Sequence, residues 1–529
     1  MCLPSSPSNL ERKMSLSPSE SYSRIKLLAK FPRTKKFSEE FPFQLDDFQL
    51  DACHALESGK GVLVAAPTGA GKTIVGEFAV YLVTQTGGKC FYTTPIKALS
   101  NQKFSELTEK YGESKVGLLT GDTSINPEAQ IVVMTTEVLR NMIYSNSTTI
   151  RDLKYVVMDE VHYLADKFRG AVWEEILIHL SDAVQVISLS ATVSNAEEFG
   201  EWLQTVRGDT EVIVSEIRPV PLYQHVLFGS RLLDLFGEDY KLNPELTRLE
   251  RESYRQIRGS WREKPKGPRA LSRSEIVEKL ERENLLPAIT FIFSRSNCDS
   301  AVRQCLASGI RLTTTEERSD IRAVIAKNMK NLAEEDLVVL GYYEWADALE
   351  RGVAAHHAGL LPAFKVTVEE LFQRGLVKAV FATETLALGI NMPARTVVLE
   401  KLSKWNGEGH VAISPGEYTQ LTGRAGRRGI DIEGNAVILW SSELDSISVG
   451  GLASTRTYPL KSSFKPTYNM SINLISQFGS DKARTSLESS LAQFQADKAV
   501  VGLAKQIRKN EVARDSLFAE AKCDRGDLS

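Results

Sequence analysis

Ala66-Pro-Thr68-Gly69-Ala-Gly71-Lys72-Thr73 stands directly behind the apolar run Val62-Leu-Val-Ala-Ala66. A strand, a glycine-rich turn and a helix start in this order aim backbone N–H groups, a helix N-terminus and one ammonium at a polyphosphate. Gly69 and Gly71 let the turn, which also holds Thr68, close around phosphates with no Cβ in the way. Lys72 would reach the β- and γ-phosphates of ATP, and Thr73 would offer its hydroxyl to Mg²⁺. The octapeptide opens with Ala66 where the usual pattern has Gly. Taken alone, it also fits a tight turn with a solvated lysine.

Asp159-Glu160-Val-His162 follows a second apolar run, Tyr155-Val-Val-Met158. Carboxylates leaving the C-terminal end of a strand lie where α/β folds place ligands. Asp159 would hold Mg²⁺ through water, and Glu160 would orient and deprotonate the attacking water. An acidic pair at a helix start is the plain alternative. A phosphate loop in the same sheet favours the chemical reading. Ser190-Ala-Thr192 ends a further strand-like run. Its hydroxyls would either relay hydrogen bonds from Asp159 and His162 to a neighbouring lobe or cap a helix. Gln420-Leu-Thr-Gly423-Arg424-Ala-Gly426-Arg427-Arg428-Gly429 sets three arginines among three glycines, a poor core element and a good phosphate clamp. An arginine finger must come from a separate body, so Arg424 and Arg427 would close on a nucleotide held elsewhere.

The elements that must position these groups alternate. Val62–Ala66, Lys89–Thr94, Ile131–Thr135, Tyr155–Met158 and Val184–Ser190 are apolar and rich in β-branched residues, as in a parallel sheet covered on both faces. Amphipathic stretches such as Thr73–Thr84 and Ile96–Tyr111 supply the crossovers. A second set, Ala288–Ser294, Ala379–Thr383, Thr396–Glu400 and Asn435–Leu439, repeats the rhythm. The expected fold is α/β, two tandem doubly wound parallel-sheet lobes over 41–222 and 287–457. A disordered tail (1–40), a charged linker (223–286) and a partly helical tail (458–529) complete the chain. Between Arg251 and Arg273 stand eight basic and two acidic residues with Tyr254 and Trp261 among them, either a strand-tracking segment or a solvated linker.

With 529 residues and a net charge of −3, the chain has no whole-molecule attraction to nucleic acid, so any such binding needs local basic groups. The six cysteines form no CxxC pair, which argues against a zinc knuckle or a disulfide framework. No apolar stretch is long enough to span a bilayer.

The four chemical segments, in this order, resemble motifs I, II, III and VI of superfamily 2 helicases, and the match extends from about Phe41 to Leu503. The resemblance implies two RecA-like lobes and further roles. Phe43 and Gln49 are similar to the adenine-recognition motif, with ring stacking and amide hydrogen bonds implied. Gly389 and Asn391, in Thr383-Glu-Thr-Leu-Ala-Leu-Gly389-Ile-Asn391-Met-Pro, resemble motif V and are implied in nucleotide binding, and Gln420 in catalysis. Strand contacts are implied for Thr94, Pro95 and Lys97, for Gly121 and Asp122, for Thr135, Thr136 and Glu137, and for Ser294, Arg295 and Thr383. His356-His357-Ala-Gly-Leu-Leu-Pro362 is a strand-contacting loop on the family pattern, with His357 at the strand, or else a satisfied structural pair.

Lys401-Leu-Ser-Lys-Trp405-Asn406-Gly407-Glu-Gly-His410-Val-Ala-Ile413 carries the Asn-Gly signal of a tight hairpin. In the family a hairpin there parts the duplex, and Trp405 would stack on the last base pair. Together with His356–Pro362, Tyr468-Asn-Met-Ser-Ile-Asn-Leu474 and Leu487-Glu-Ser-Ser-Leu-Ala-Gln-Phe-Gln495, the DEVH segment narrows the resemblance to the superkiller-like branch, which includes exosome-cofactor and actinobacterial HelY helicases. This implies ATP and Mg²⁺ as cofactors and 3′-to-5′ movement along RNA in preference to DNA. It also implies a cytoplasmic monomer with RNA-decay or ribosome-associated partners. Residues 458–529 would be a partial winged-helix and helical region, short beside the family's full pattern. The alternatives are a translocase and an ATP-gated RNA-binding module, neither of which unwinds.

Overall fold

The computed structural model describes residues 30–259, 269–330, 338–387, 392–405, 408–442, 444–455, 457 and 459–520. Most of the expected N-terminal tail, Trp261, Gly389, Asn391 and the hairpin tip Asn406-Gly407 lie outside them.

The first sheet has eight strands: β1 (Gly61–Ala65), β2 (Lys89–Thr94), β3 (Val116–Leu119), β4 (Ser124–Ile125), β5 (Ile131–Thr135), β6 (Leu153–Met158), β7 (Gln185–Ser190) and β8 (Thr210–Val214). Their order is β4-β3-β5-β2-β6-β7-β1-β8, and only the β3–β4 pairing is antiparallel. β1 shows why its sequence is apolar throughout. Val62 and Val64 feed the core on one face, and Leu63 and Ala65 feed the core on the other.

The strand order divides the C-terminal edge of this sheet. β1, β7 and β6 are neighbours and end in the phosphate loop, Ser190 and Asp159. β2, β5 and β3 end in the segments that hold Thr94, Thr135 and Gly121. Two functions can therefore share one edge side by side.

The second sheet comprises β9 (Leu222–Phe228), β10 (Arg231–Asp234), β11 (Ala288–Phe291), β12 (Val353–His356), β13 (Ala379–Ala382), β14 (Thr396–Leu399) and β17 (Gly434–Leu439). Its order is β10-β9-β17-β14-β11-β13-β12, parallel except for the β9–β10 hairpin. β15 (Ser403–Trp405) and β16 (His410–Ala412) form a separate antiparallel hairpin.

The stretch 223–286, expected as a linker, differs. β9 pairs in parallel with β17 from Leu222 to Leu227, and the helix Arg273–Arg282 is tied to the end of β14 by a two-pronged pair from Arg273 to Glu400, each contact at 2.9 Å. The connection between the sheets is the short segment 215–221. Phe228 and Leu235 belong to the core of the second lobe, and their burial outweighs the charge around them.

The tail also departs from expectation in where it sits. Leu460 and Leu491 join the core of the first lobe, not that of the second lobe they follow. Asn195 exchanges two hydrogen bonds with the Leu460 backbone, and Trp202 Nε1 donates to Ser489 O at 2.8 Å. The fully buried Glu174 accepts from Leu491 N at 2.8 Å and from the Ser462 hydroxyl, so a lobe-one carboxylate caps the helix Leu491–Glu520.

Burial pushes Glu174 up to about 7, against hydrogen bonds from Ser462, Leu491 and Ala492 that pull it down. The folded form thus retains a proton that the unfolded chain releases. The stability this contributes is complete below the ordinary value of 4.5 and is lost as pH rises toward about 7. Glu174→Gln removes the titration. Its stability relative to the parent is expected to rise by up to about 3 kcal/mol across that window. Denaturant unfolding at a series of pH values checks this; parallel pH profiles for the two proteins would contradict it.

Candidate nucleotide cleft and nucleic-acid face

The phosphate loop bends where expected: Gly69 and Gly71 have φ of +81° and +88°, a region that favours glycine. The helix Thr73–Thr86 starts at its end. Lys72 Nζ donates to Ala66 O at 2.7 Å and Pro67 O at 3.1 Å, folded back on its own loop. Burial lowers its pKa, while the carboxylates of Glu160 and Asp159 oppose that shift and Arg424 adds to it.

Gln49 stands fully buried at the start of the helix Asp47–Glu57. Its Nε2 donates to Gly71 O at 2.9 Å, and its Oε1 accepts from Asp46 N at 2.8 Å. Phe43, half exposed, has its ring 5.4 Å from that of Phe41.

Asp159 is raised by burial first and by Glu160 second. Tyr92 Oη donates to it at 3.2 Å. Glu160 has φ of +53°, a left-handed conformation that costs a non-glycine residue about 1–3 kcal/mol and clusters at functional sites. His162 is held neutral: burial depresses it to about 3, and its Nδ1 accepts from Ala191 N at 3.2 Å. His162 therefore meets the Ser190–Thr192 segment through the backbone N–H between the two hydroxyls and not through the hydroxyls themselves. Both residues are buried, and Ser190 Oγ finds no hydrogen-bond partner among the described residues.

The second lobe reaches this site through the helix Pro415–Thr422 and the turn after it. Gln420 lies against the Tyr163 hydroxyl. Arg424 is buried and donates to Ala387 O at 2.6 Å. Burial lowers its pKa, and Glu160 across the cleft is the first group that raises it. Arg427 differs from the expected finger geometry. It makes a two-pronged pair with Asp431, both contacts at 2.8 Å, within its own lobe. Arg428 makes the cross-lobe contact instead: its guanidinium donates to Ala70 O of the phosphate loop at 3.0 Å and to Asp46 at 2.9 Å. Sequence reasoning missed this residue, and also Arg218. Arg218 lies in the short connection between the sheets and donates to Thr422 O and Ala425 O, holding the arginine turn from behind.

A Cβ on Gly423 would come within 2.7 Å of Thr419 O in its own helix and within 2.9 Å of the Thr68 Cβ across the cleft. Gly423→Ala is therefore expected to wedge the lobes apart. A clash of this kind costs about 1–3 kcal/mol and would raise the ATP concentration for half-maximal turnover about tenfold. Titration of ATPase rate against ATP checks it, and a half-maximal concentration like that of the parent would contradict it.

On the other half of the edge, the expected strand-contacting residues are partly engaged with one another. Thr136 is fully buried and donates to Thr94 O at 3.1 Å, and Thr94 Oγ1 lies 2.7 Å from Ser100 Oγ. Thr135 is buried as well. Arg169 joins Glu137 to the Pro95 carbonyl. Lys97 pairs with Asp122 at 2.9 Å beside Gly121.

In the second lobe, Ser294 Oγ is 3.2 Å from Ser296 Oγ, Arg295 is exposed next to Gly359, and Thr383 Oγ1 is 2.9 Å from Thr385 Oγ1. His357 departs from a strand-facing role. It is buried, its Nε2 is 2.9 Å from Asp299 Oδ1, and its Nδ1 accepts from Gly359 N at 3.2 Å. His356 pairs likewise with Glu369 at 2.8 Å. His357 thus has a partner at each ring nitrogen, whereas the buried Nδ1 of His356 finds none among the described residues. Trp405, 57% exposed, stands on the hairpin edge-on to His410.

Comparison with known proteins fits this geometry. Residues 46–199 match the DEAD/DEAH box helicase family, and residues 301–429 match the helicase conserved C-terminal domain. Over 503 residues the chain is 60% identical to a probable helicase HelY of Mycobacterium tuberculosis, covering 92% of this chain and 55% of that protein. It is 39% identical over 490 residues to human exosome RNA helicase MTR4, covering 91% of this chain and 46% of that one. The chain carries both helicase domains and is related to the superkiller-type superfamily 2 helicases. Human superkiller complex protein 2 is 40% identical over 457 residues, covering 82% of this chain and 36% of that one. The chain spans about half the length of the curated helicases it matches. No helix among the described residues is long and apolar enough to cross a membrane.

Proposed function

We propose that this chain hydrolyses ATP to move along nucleic acid, RNA in preference to DNA, in the 3′-to-5′ direction, parting duplexes at the β15–β16 hairpin. The observation that carries the reading is the cleft itself. Lys72, Asp159 and Glu160 of one lobe and Arg424 of the other are near enough for each to bear on the ionisation of its neighbours. ATP would bind Thr68, Gly69, Gly71, Lys72 and Thr73, with its base near Phe43 and Gln49. Glu160 would take the proton of the attacking water, and Arg424 and Arg427 would meet the charge developing on the γ-phosphate.

The donor set suits Mg²⁺ carried in with the nucleotide. Among the described residues no cluster of three or more potential ligands exists, whereas Asp159 and the Thr73 hydroxyl leave the remaining positions to phosphate and water. Bound there, the ion would neutralise phosphate charge. Closure is favoured when ATP and strand bind together, and hydrolysis reopens the cleft, which supplies the stroke. RNA preference follows the relatives named as RNA helicases, and the polarity is what the family resemblance implies.

ATPase rate with and without RNA and DNA oligomers tests the reading, beside a strand-separation assay on a duplex with a 3′ tail. Stimulation by RNA together with separation supports it. Stimulation without separation leaves a translocase, and no turnover with saturating RNA rejects it.

A further inference from the structure

Lys404 lies one residue before Trp405 on the hairpin, opposite Val411. Its ammonium is not offered to a ligand. Nζ is 2.6 Å from Glu384 Oε2 and 2.6 Å from Glu417 Oε1, and only 21% of the side chain is exposed. Burial alone would lower its pKa, but the two carboxylates raise it overall, so the ammonium stays charged.

Both carboxylates belong to segments that lead to the cleft. Glu384 opens the short 3₁₀ turn Glu384–Leu386, and the next carbonyl, Ala387 O, is the one that receives Arg424. Glu417 sits in the first turn of the helix Pro415–Thr422. Its Oε2 accepts from Ser414 N and Ser414 Oγ, both at 2.7 Å, while Oε1 is left for Lys404. Gln420 lies one turn further along that helix, and Arg424 follows its end. One ammonium therefore pins the hairpin to both supports of the cleft arginines.

We propose that Lys404 is the positioning residue through which occupancy of the hairpin reaches Arg424 and Gln420. It would couple nucleic acid to ATP turnover without touching either ligand. The inference rests on the functional reading above, in which the hairpin meets the strand and the arginine meets phosphate. A lysine is suited to the task because a single charge can hold two carboxylates that would otherwise repel each other. Displacement of the hairpin then moves the turn and the helix together.

The test is steady-state ATPase of the full chain with and without a single-stranded RNA oligomer, for the parent, Lys404→Met, Lys404→Arg, Glu384→Gln and the Lys404→Met/Glu384→Gln pair. Lys404→Met is expected to lower the ratio of stimulated to unstimulated kcat about tenfold, with KM for ATP within about twofold of the parent. Lys404→Arg is expected to recover most of the ratio. The double variant is expected to be no worse than Lys404→Met alone, because one joint can be broken only once. A merely structural role would lower both rates together and add the second loss to the first. Should Lys404→Met melt early, Glu384→Gln carries the same expectation on a more exposed side chain. A stimulated parent with unchanged ratios in these variants overturns the proposal. A parent that RNA fails to stimulate overturns the functional reading, and this inference with it.

Discussion

Glu160→Gln is expected to stop ATP turnover while leaving ATP bound. A positioned general base contributes about 10²- to 10⁴-fold to rate, so kcat should fall by roughly 10³-fold. The substitution is nearly isosteric. It keeps the residue that occupies the left-handed conformation at φ +53° and the N–H that donates to Asp159 Oδ1 at 3.0 Å. What it removes is a basic oxygen beside a buried, neutral His162, whose Nδ1 already accepts from the backbone and cannot substitute as base. Nucleotide affinity, read by fluorescence titration with a labelled ATP analogue, should stay within about threefold, since affinity depends on the phosphate loop and not on the water. Lys72→Ala makes the contrast, with losses in both affinity and rate. Turnover near that of the parent in Glu160→Gln would reject the role assigned to this carboxylate.

The phosphate loop and the DEVH carboxylates were legible because their chemistry is local. A glycine spacing at a strand end, or two acids after an apolar run, implies its own geometry. The central strands were legible for a related reason: β1 is buried on both faces, and its sequence shows it. β9 was not, because its mixed run Leu222-Tyr-Gln-His-Val-Leu-Phe228 is followed by the charged segment that suggested a linker, and only pairing with β17, more than two hundred residues later, makes it a strand of the second lobe. His357 illustrates the same limit. Its partner Asp299 is distant in sequence, so an internal hydrogen bond and a strand contact look alike until the fold brings them together. Arg428 is the sharpest case. Three arginines in one turn are chemically equivalent on paper, and the approach of two lobes decides that one faces the phosphate loop, one is buried near Glu160, and one pairs with Asp431.

That division of labour gives the second large prediction. Arg424→Ala is expected to cut the rate of hydrolysis about 10³-fold, the lower end of what an arginine finger supplies, with a much smaller loss of ATP affinity. Arg424 is the guanidinium already buried at the cleft and within the field of Glu160, so it requires little rearrangement to meet a γ-phosphate. Arg427→Ala should also depress turnover, but by a route the Asp431 pair makes visible. The buried carboxylate of Asp431 holds this guanidinium in two-pronged fashion, and that pair must break or swing before Arg427 can reach the cleft. Asp431→Asn weakens the hold. It should therefore leave the parent rate largely intact, or raise it, if Arg427 acts on phosphate, and should mimic Arg427→Ala if the pair serves only to shape the turn. Single-turnover hydrolysis measured with ATP affinity for the three variants separates these outcomes. An equal fall in rate and affinity for Arg424→Ala would mean that it binds ATP as tightly in the ground state as in the transition state, and the finger role would be lost.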